Sequence, residues 1–196
     1  GRWKTAFGIL GATWVAFGTL RFLWSRWKMP GARLTREMLG MSLAHIGIAV
    51  FLTGAMLVEG LNLQREAAVR VGDTVTLGDY CFKLTGVQDL RGPNYTAERG
   101  TVEVARDCKQ RIATVNPEKR RYVAGGQVMT EAALLPGATR DLFIALGESL
   151  GDDAWALRVH IKPFVRWIWL GALLMALGAV VTATDPRFRK IRKEAA

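Results

Sequence analysis

From Leu39 to Val58 the chain runs 20 residues without a charge, and most of them are apolar. A helix over this run would be about 30 Å long, matching the hydrocarbon thickness of a bilayer. Within lipid each backbone polar group must be satisfied internally, so an uninterrupted apolar run of this length folds as a helix. His45 lies inside the run. An ionisable ring at that depth is costly, and a functional role is its default reading.

Two further apolar runs, Thr5 to Leu20 and Phe164 to Thr184, bring the expected spans to three. The first ends in Arg21, Trp24, Arg26 and Trp27, and the third opens with Arg166, Trp167 and Trp169, both interfacial anchor clusters. The formal charge of +10 would suit a polyanion binder if it were spread evenly. Instead, residues 1–58 carry 7 basic and 1 acidic side chains, residues 185–196 carry 5 and 2, and the middle is almost neutral at 15 and 14. A general nucleic-acid surface is therefore not expected. The excess sits beside span ends: Arg21, Arg26, Lys28, Arg33 and Arg36, then Arg187, Arg189, Lys190, Arg192 and Lys193. By the positive-inside rule both segments are cytoplasmic, which places residues 62–162 on the opposite, periplasmic side of a bacterial inner membrane. Arg2 and Lys4 then fall on the outer side, a mild violation.

The expected fold class is a three-span α-helical membrane protein with an inserted periplasmic antiparallel β domain of about 100 residues. Its segments are a transmembrane helix over 1–24, a basic loop over 25–37, a helix carrying His45 over 38–61, the β domain over 62–162, a third helix over 163–184 and a basic tail over 185–196. Gly1 stands at the mouth of a span with no signal peptide to read, so the chain is expected to be a piece of a larger membrane protein.

The β assignment rests on period-two alternation in Thr74–Leu77, Cys81–Leu84, Thr101–Val104 and Ala156–Val159. Gly72-Asp73, Gly78-Asp79, Gly92-Pro93-Asn94, Asn116-Pro117 and Gly125-Gly126 separate these runs as turn signals. A sandwich or open barrel follows, with Thr139–Leu146 ambiguous between strand and short helix. Cys81 and Cys108, the only cysteines, fall in the external domain, where a disulfide is allowed. Metal or haem-linkage thiols are the competing reading, against which stands the lack of any Cys-x-x-Cys.

His45 admits three chemistries: ligation of a metal or haem iron, proton relay, or a hydrogen bond to a neighbouring helix. Relay has little support, since Ser42 is one turn away and Glu59 is far along the helix. Gly8, Gly11 and Gly18, and Gly40, Gly47 and Gly54, have spacings that permit close helix contact; Gly47 also flanks His45 closely enough for a flat ligand to exploit. His160 reads as an ordinary exposed or interfacial histidine. Residues Asn116 to Tyr122 form a charged stretch at an expected loop and strand edge. It reads either as a solvated charge run or as a docking surface in which Arg120, Arg121 and Tyr122 meet an acidic partner or haem propionates. No hydrolase constellation can be assembled.

The segments Ser42-Leu43-Ala44-His45-Ile46-Gly47, Pro117-Glu118-Lys119-Arg120-Arg121-Tyr122, Met129-Thr130-Glu131-Ala132-Ala133, Thr139-Arg140-Asp141-Leu142-Phe143 and Lys162-Pro163-Phe164-Val165-Arg166-Trp167-Ile168-Trp169-Leu170-Gly171 resemble, in order, the C-terminal part of the CcmF family and its NrfE-type relatives. The resemblance implies a haem lyase of cytochrome c maturation that receives substrate haem from the periplasmic chaperone CcmE. It promotes covalent attachment of that haem to apocytochrome c, alongside CcmH and CcmI-type subunits. It further implies that His45 is one axial ligand of a membrane haem b used for electron relay, the second ligand and the external haem-holding histidines lying upstream. The segment alone is not expected to be active. The alternative is a non-catalytic membrane scaffold whose β domain docks partners; a proton-coupled transporter ranks last for want of intramembrane ionisable groups.

Overall fold

The computed structural model describes residues 2–31 and 33–187; Arg189, Lys190, Arg192 and Lys193 of the expected basic tail lie outside them. Two compact units emerge, residues 1–61 with 164–196, and Asn62–Pro163.

The first unit is helical: α1 Arg2–Lys28, α2 Arg36–Leu61 and α3 Val165–Ala183. All three are long and apolar enough to cross a membrane. Helix α1 runs about two turns further than its apolar run, through Trp24, Trp27 and Lys28, whose ammonium lies 4.7 Å from the Trp24 ring centroid. Helices α2 and α3 share the closest seam. A methyl built on Gly47 would stand 2.7 Å from the Met175 amide nitrogen and 2.8 Å from the Gly171 carbonyl oxygen, and one on Gly171 would stand 2.5 Å from the Phe51 nitrogen. Gly40 and Gly54, seven residues either side of Gly47, meet Gly178 and Ile168 in the same way. Small residues at this period let two backbones approach, which is what drives helix pairing where lipid removes the hydrophobic incentive. Gly47 is thereby spent on α3, and a flat ligand beside His45 cannot use it.

The start of α2 is latched to the end of α3. Asp185 is buried, and its carboxylate accepts the Glu37 amide at 3.0 Å and the Arg187 amide at 3.0 Å. An anion at a helix N-terminus satisfies an orphan donor and meets the positive end of the dipole. Thr35 Oγ1 accepts the Met38 amide at 3.3 Å as the in-sequence cap. The Arg187 amide, then the Glu37 amide, hold the Asp185 carboxyl below its ordinary range.

The second unit is a β-sandwich of two antiparallel sheets. Its strands are β1 Leu63–Arg70, β2 Thr74–Leu77, β3 Tyr80–Arg91, β4 Tyr95–Arg106, β5 Gln110–Val115, β6 Glu118–Tyr122, β7 Val128–Glu131, β8 Ala133–Leu135, β9 Arg140–Gly151 and β10 Ala154–Pro163. One sheet has the order β1-β10-β9-β8; the other has β2-β3-β4-β6-β7, with β5 also paired to β4. Alternation buries Phe82, Leu84, Val102 and Val104 from one sheet against Leu142, Ile144, Leu157 and Val159 from the other, all fully inaccessible to solvent. Thr139–Leu146, ambiguous in sequence, falls largely in β9. The stretch expected at a loop and strand edge is instead β6, an inner strand between β4 and β7. Cys81 and Cys108 form a disulfide with their Cα atoms 5.2 Å apart, joining β3 to the β4–β5 turn, where Asp107 and Cys108 have φ of 51° and 54°.

Candidate functional site

His45 sits two and a half turns into α2, about 14 Å along the axis from Arg36. Its Nδ1 lies 2.8 Å from the Met41 carbonyl oxygen. A carbonyl only accepts, so Nδ1 carries the proton and donates. The lone pair of the neutral ring is then on Nε2, which bonds to nothing among the described residues. Carbonyl hydrogen bonds of this kind orient the imidazole and raise its basicity toward a metal.

The ring opens on a groove of about 370 Å³ between α1 and α2, lined by Trp14, Val15, Gly18, Thr19, Phe22, Met41 and His45. The Thr19 hydroxyl donates to the Val15 carbonyl at 2.8 Å, which occupies its proton within its own helix. His45 Nε2 is thus the one strong unpaired side-chain acceptor in an otherwise apolar trough. A neutral imidazole nitrogen beside an apolar groove is chemically able to ligate a metal. His160 belongs to the other unit.

The β6 residues divide between two faces, as strand alternation requires. On one face Glu118 is buried and accepts from Arg99 Nε at 2.6 Å and Arg120 Nε at 2.8 Å. Arg120 also approaches Glu131 at 3.5 Å and stacks 4.6 Å from the Tyr95 ring centroid, beside Tyr122. Burial alone would raise the Glu118 carboxyl; the hydrogen bonds from Arg120 and Arg99 outweigh it and hold the group below the ordinary carboxylate range. The same bond, with one to Tyr122, raises the Arg120 guanidinium further above its already high range. Arg120 is therefore held in a structural network. Glu118 and Arg99, its anchors, were invisible as such in sequence because their meeting depends on strand register.

Arg121 points to the other face with Lys119. There, at the end of the sandwich remote from Asn62 and Pro163, the two sheets part around a polar cleft of about 660 Å³. Register places Arg91 of β3, Thr96 of β4 and Arg121 of β6 in one row. Asp89, Glu98 and Lys119 form the next row, with Lys119 reaching Glu148 of the opposite sheet at 3.1 Å. The same-face basic companion of Arg121 is thus Arg91, not Arg120.

His160 is half-buried on the outer face of the smaller sheet, its ring edge-on to Phe143 at 5.3 Å between centroids. Its Nδ1 is buried without a partner. Burial first, then the charges of Lys162 and Arg158, lower its pKa. A proton placed on that nitrogen would go unpaired, which disfavours the charged ring.

Comparison with known proteins places this geometry in a lineage. Residues 60–163 match the family described as the CcmF C-terminal beta-sandwich. The chain is 46% identical over 192 residues to the cytochrome c-type biogenesis protein CcmF of Pseudomonas aeruginosa, covering 95% of this chain and 29% of that protein. It is 40% identical over 186 residues to CcmF of Escherichia coli, covering 95% and 28%. It is 34% identical over 169 residues to the cytochrome c-type biogenesis protein NrfE of Haemophilus influenzae, covering 86% and 25%. A solved structure titled cytochrome c heme lyase CcmF shares the fold with a TM-score of 0.70 at 18% identity, over 92% of this chain and 32% of that one. The chain spans less than a third of the length of these relatives. With three apolar helices and, between the second and third in sequence, a β-sandwich matched by that family, the chain belongs to the CcmF family and corresponds to its C-terminal part.

Proposed function

We propose that this segment serves cytochrome c maturation as part of a haem lyase. In this reading His45 Nε2 would hold the iron of a haem b in the membrane, with a second ligand supplied by sequence outside the chain. The observation that carries the reading is the Nδ1–H bond to the Met41 carbonyl, which leaves the Nε2 lone pair free on a residue that lines an apolar groove. When bound, such a haem supplies one-electron exchange. The residues of this chain do the rest: Met41 fixes the imidazole, and Trp14, Val15 and Phe22 keep water from the ligand. The substrate haem, received from the chaperone CcmE and delivered to apocytochrome c with CcmH and CcmI-type partners at the inner membrane, is handled on the periplasmic side, where the β-sandwich lies in this reading.

Replacing His45 with Ala in the full-length protein is expected to remove or sharply reduce the b-type Soret and α-band absorption at unchanged protein level. Parent-like absorption would overturn the assignment.

The second reading is a scaffold whose sandwich docks partner proteins while the helices anchor it. The charged cleft carrying Arg91 and Arg121 favours it. A full-length protein free of haem b that still binds its partners, and loses them when Arg91 and Arg121 are changed to Glu, would select that reading. Arg120 and Tyr122 belong to the same docking expectation through the opposite face, where Tyr95, Arg120 and Tyr122 form an aromatic and cationic patch.

A further inference from the structure

Glycine within a helix costs about 1 kcal/mol relative to alanine, so each one in a span needs a reason. In the helical unit most have one. A Cβ on Gly8 would collide with Met56, one on Gly60 would press on Thr5, and those on Gly40, Gly47, Gly54, Gly171 and Gly178 would strike the facing helix. Gly11 and Gly18 differ: among the described residues nothing lies within 4 Å of a Cβ at either position. Of these two, Gly18 alone lines the groove that His45 faces.

Trp14 and Phe22 stand one turn before and one turn after Gly18, four residues away on each side, and both line the same groove. Along α1 the three therefore make a notch, two large rings about 12 Å apart with bare backbone between them. Across the groove lie Met41 and His45, also one turn apart on α2. Met41 shares the α2 wall with His45. A missing side chain facing open space next to an oriented donor is the signature of a close approach by something flat.

We infer that Gly18 is the seat of the macrocycle held by His45. The ring edge rests against the α1 backbone at Gly18 and is bracketed by Trp14 and Phe22, and the absent Cβ sets how far the porphyrin enters between α1 and α2. This rests on the haem reading of His45 and adds to it a residue that does not contact the iron and, among the described residues, packs against no helix.

The test uses the full-length protein, purified in detergent, with haem measured per polypeptide by the pyridine haemochrome method and by the b-type absorption bands. Gly18→Leu is expected to lower retained haem about tenfold, the effect of filling a space with a side chain that cannot move away. Gly11→Leu, on the same helix outside the groove, is expected to retain parent levels, and His45→Ala to lose haem. If His45→Ala loses haem while Gly18→Leu keeps parent content, the Gly18 inference is overturned and the His45 reading stands. If His45→Ala keeps its haem, both fall. Should Gly18→Leu not accumulate, Gly18→Ala decides: faster haem loss to apomyoglobin and a shifted midpoint potential support the seat, and parent values for both overturn it.

Discussion

Glu118 is the acidic centre of the β-sandwich surface network, and its removal has a calculable consequence. The side chain is 7% exposed and accepts from two guanidinium nitrogens, at 2.6 and 2.8 Å. A shielded charge-assisted hydrogen bond contributes about 1.5–3 kcal/mol. Arg99 and Arg120 are 42% and 27% exposed, so screening reduces each bond by about half. Glu118→Ala is thus expected to destabilise the unit by about 1.5–3 kcal/mol, leaving the two arginines facing each other. For a unit of this size that lowers the midpoint by about 10–20 °C. The assay is thermal unfolding of the purified protein, followed at the β-sheet band in circular dichroism. Arg121→Ala, whose side chain has no partner among the described residues, serves as the control. Because Glu118 is held below its unfolded pKa, its contribution is present above that pKa and fades as pH falls through the lowered folded value. The gap between parent and Glu118→Gln should therefore close in acid. A Glu118→Ala midpoint within about 2 °C of the parent would refute the reasoning, since that is the range of an ordinary surface substitution.

Gly47→Leu should force α2 from α3, costing about 1–3 kcal/mol and lowering the midpoint of the helical transition in detergent; unchanged melting would mean the seam yields without strain. Replacing Cys81 and Cys108 together with alanine opens a loop closed by residues 27 apart and should cost about 3–4 kcal/mol on the chain-entropy account, read as a lower urea midpoint than the oxidised parent. Burial lowers the His160 pKa in the folded state, so its contribution is complete above the unfolded histidine pKa of about 6.5 and is lost as pH falls from there through the lowered folded value. The parent's melting temperature should drop between neutral pH and pH 5, and His160→Phe should flatten that slope; an identical slope in the variant would discard the explanation.

The three helices were legible because long apolar runs leave the backbone no other option. Four strand segments were legible because one face of each is core and the next residue is not. Where both faces carry the same kind of side chain, alternation vanishes. β6 is polar throughout because one face builds the Glu118 network and the other lines the cleft. β9 is apolar throughout from Leu142 to Leu146, since Phe143 on its outer face lies beneath His160 and Lys162. His45 stood out as a polar ring in an apolar run, a local signal. Gly18 did not, because the meaning of a missing side chain depends on which helix stands opposite. The pairing of Arg121 with Arg91 rather than Arg120 depends on register between strands far apart in sequence.

The sandwich begins and ends on neighbouring strands: Leu63 pairs with Ile161, so the chain leaves the unit about 5 Å from where it entered. A hundred residues of excursion thus cost the helical hairpin almost no span at its point of departure. A linker of a few residues can close the same gap, which makes the module one that recombination can excise, enlarge or exchange without re-registering the helices on either side.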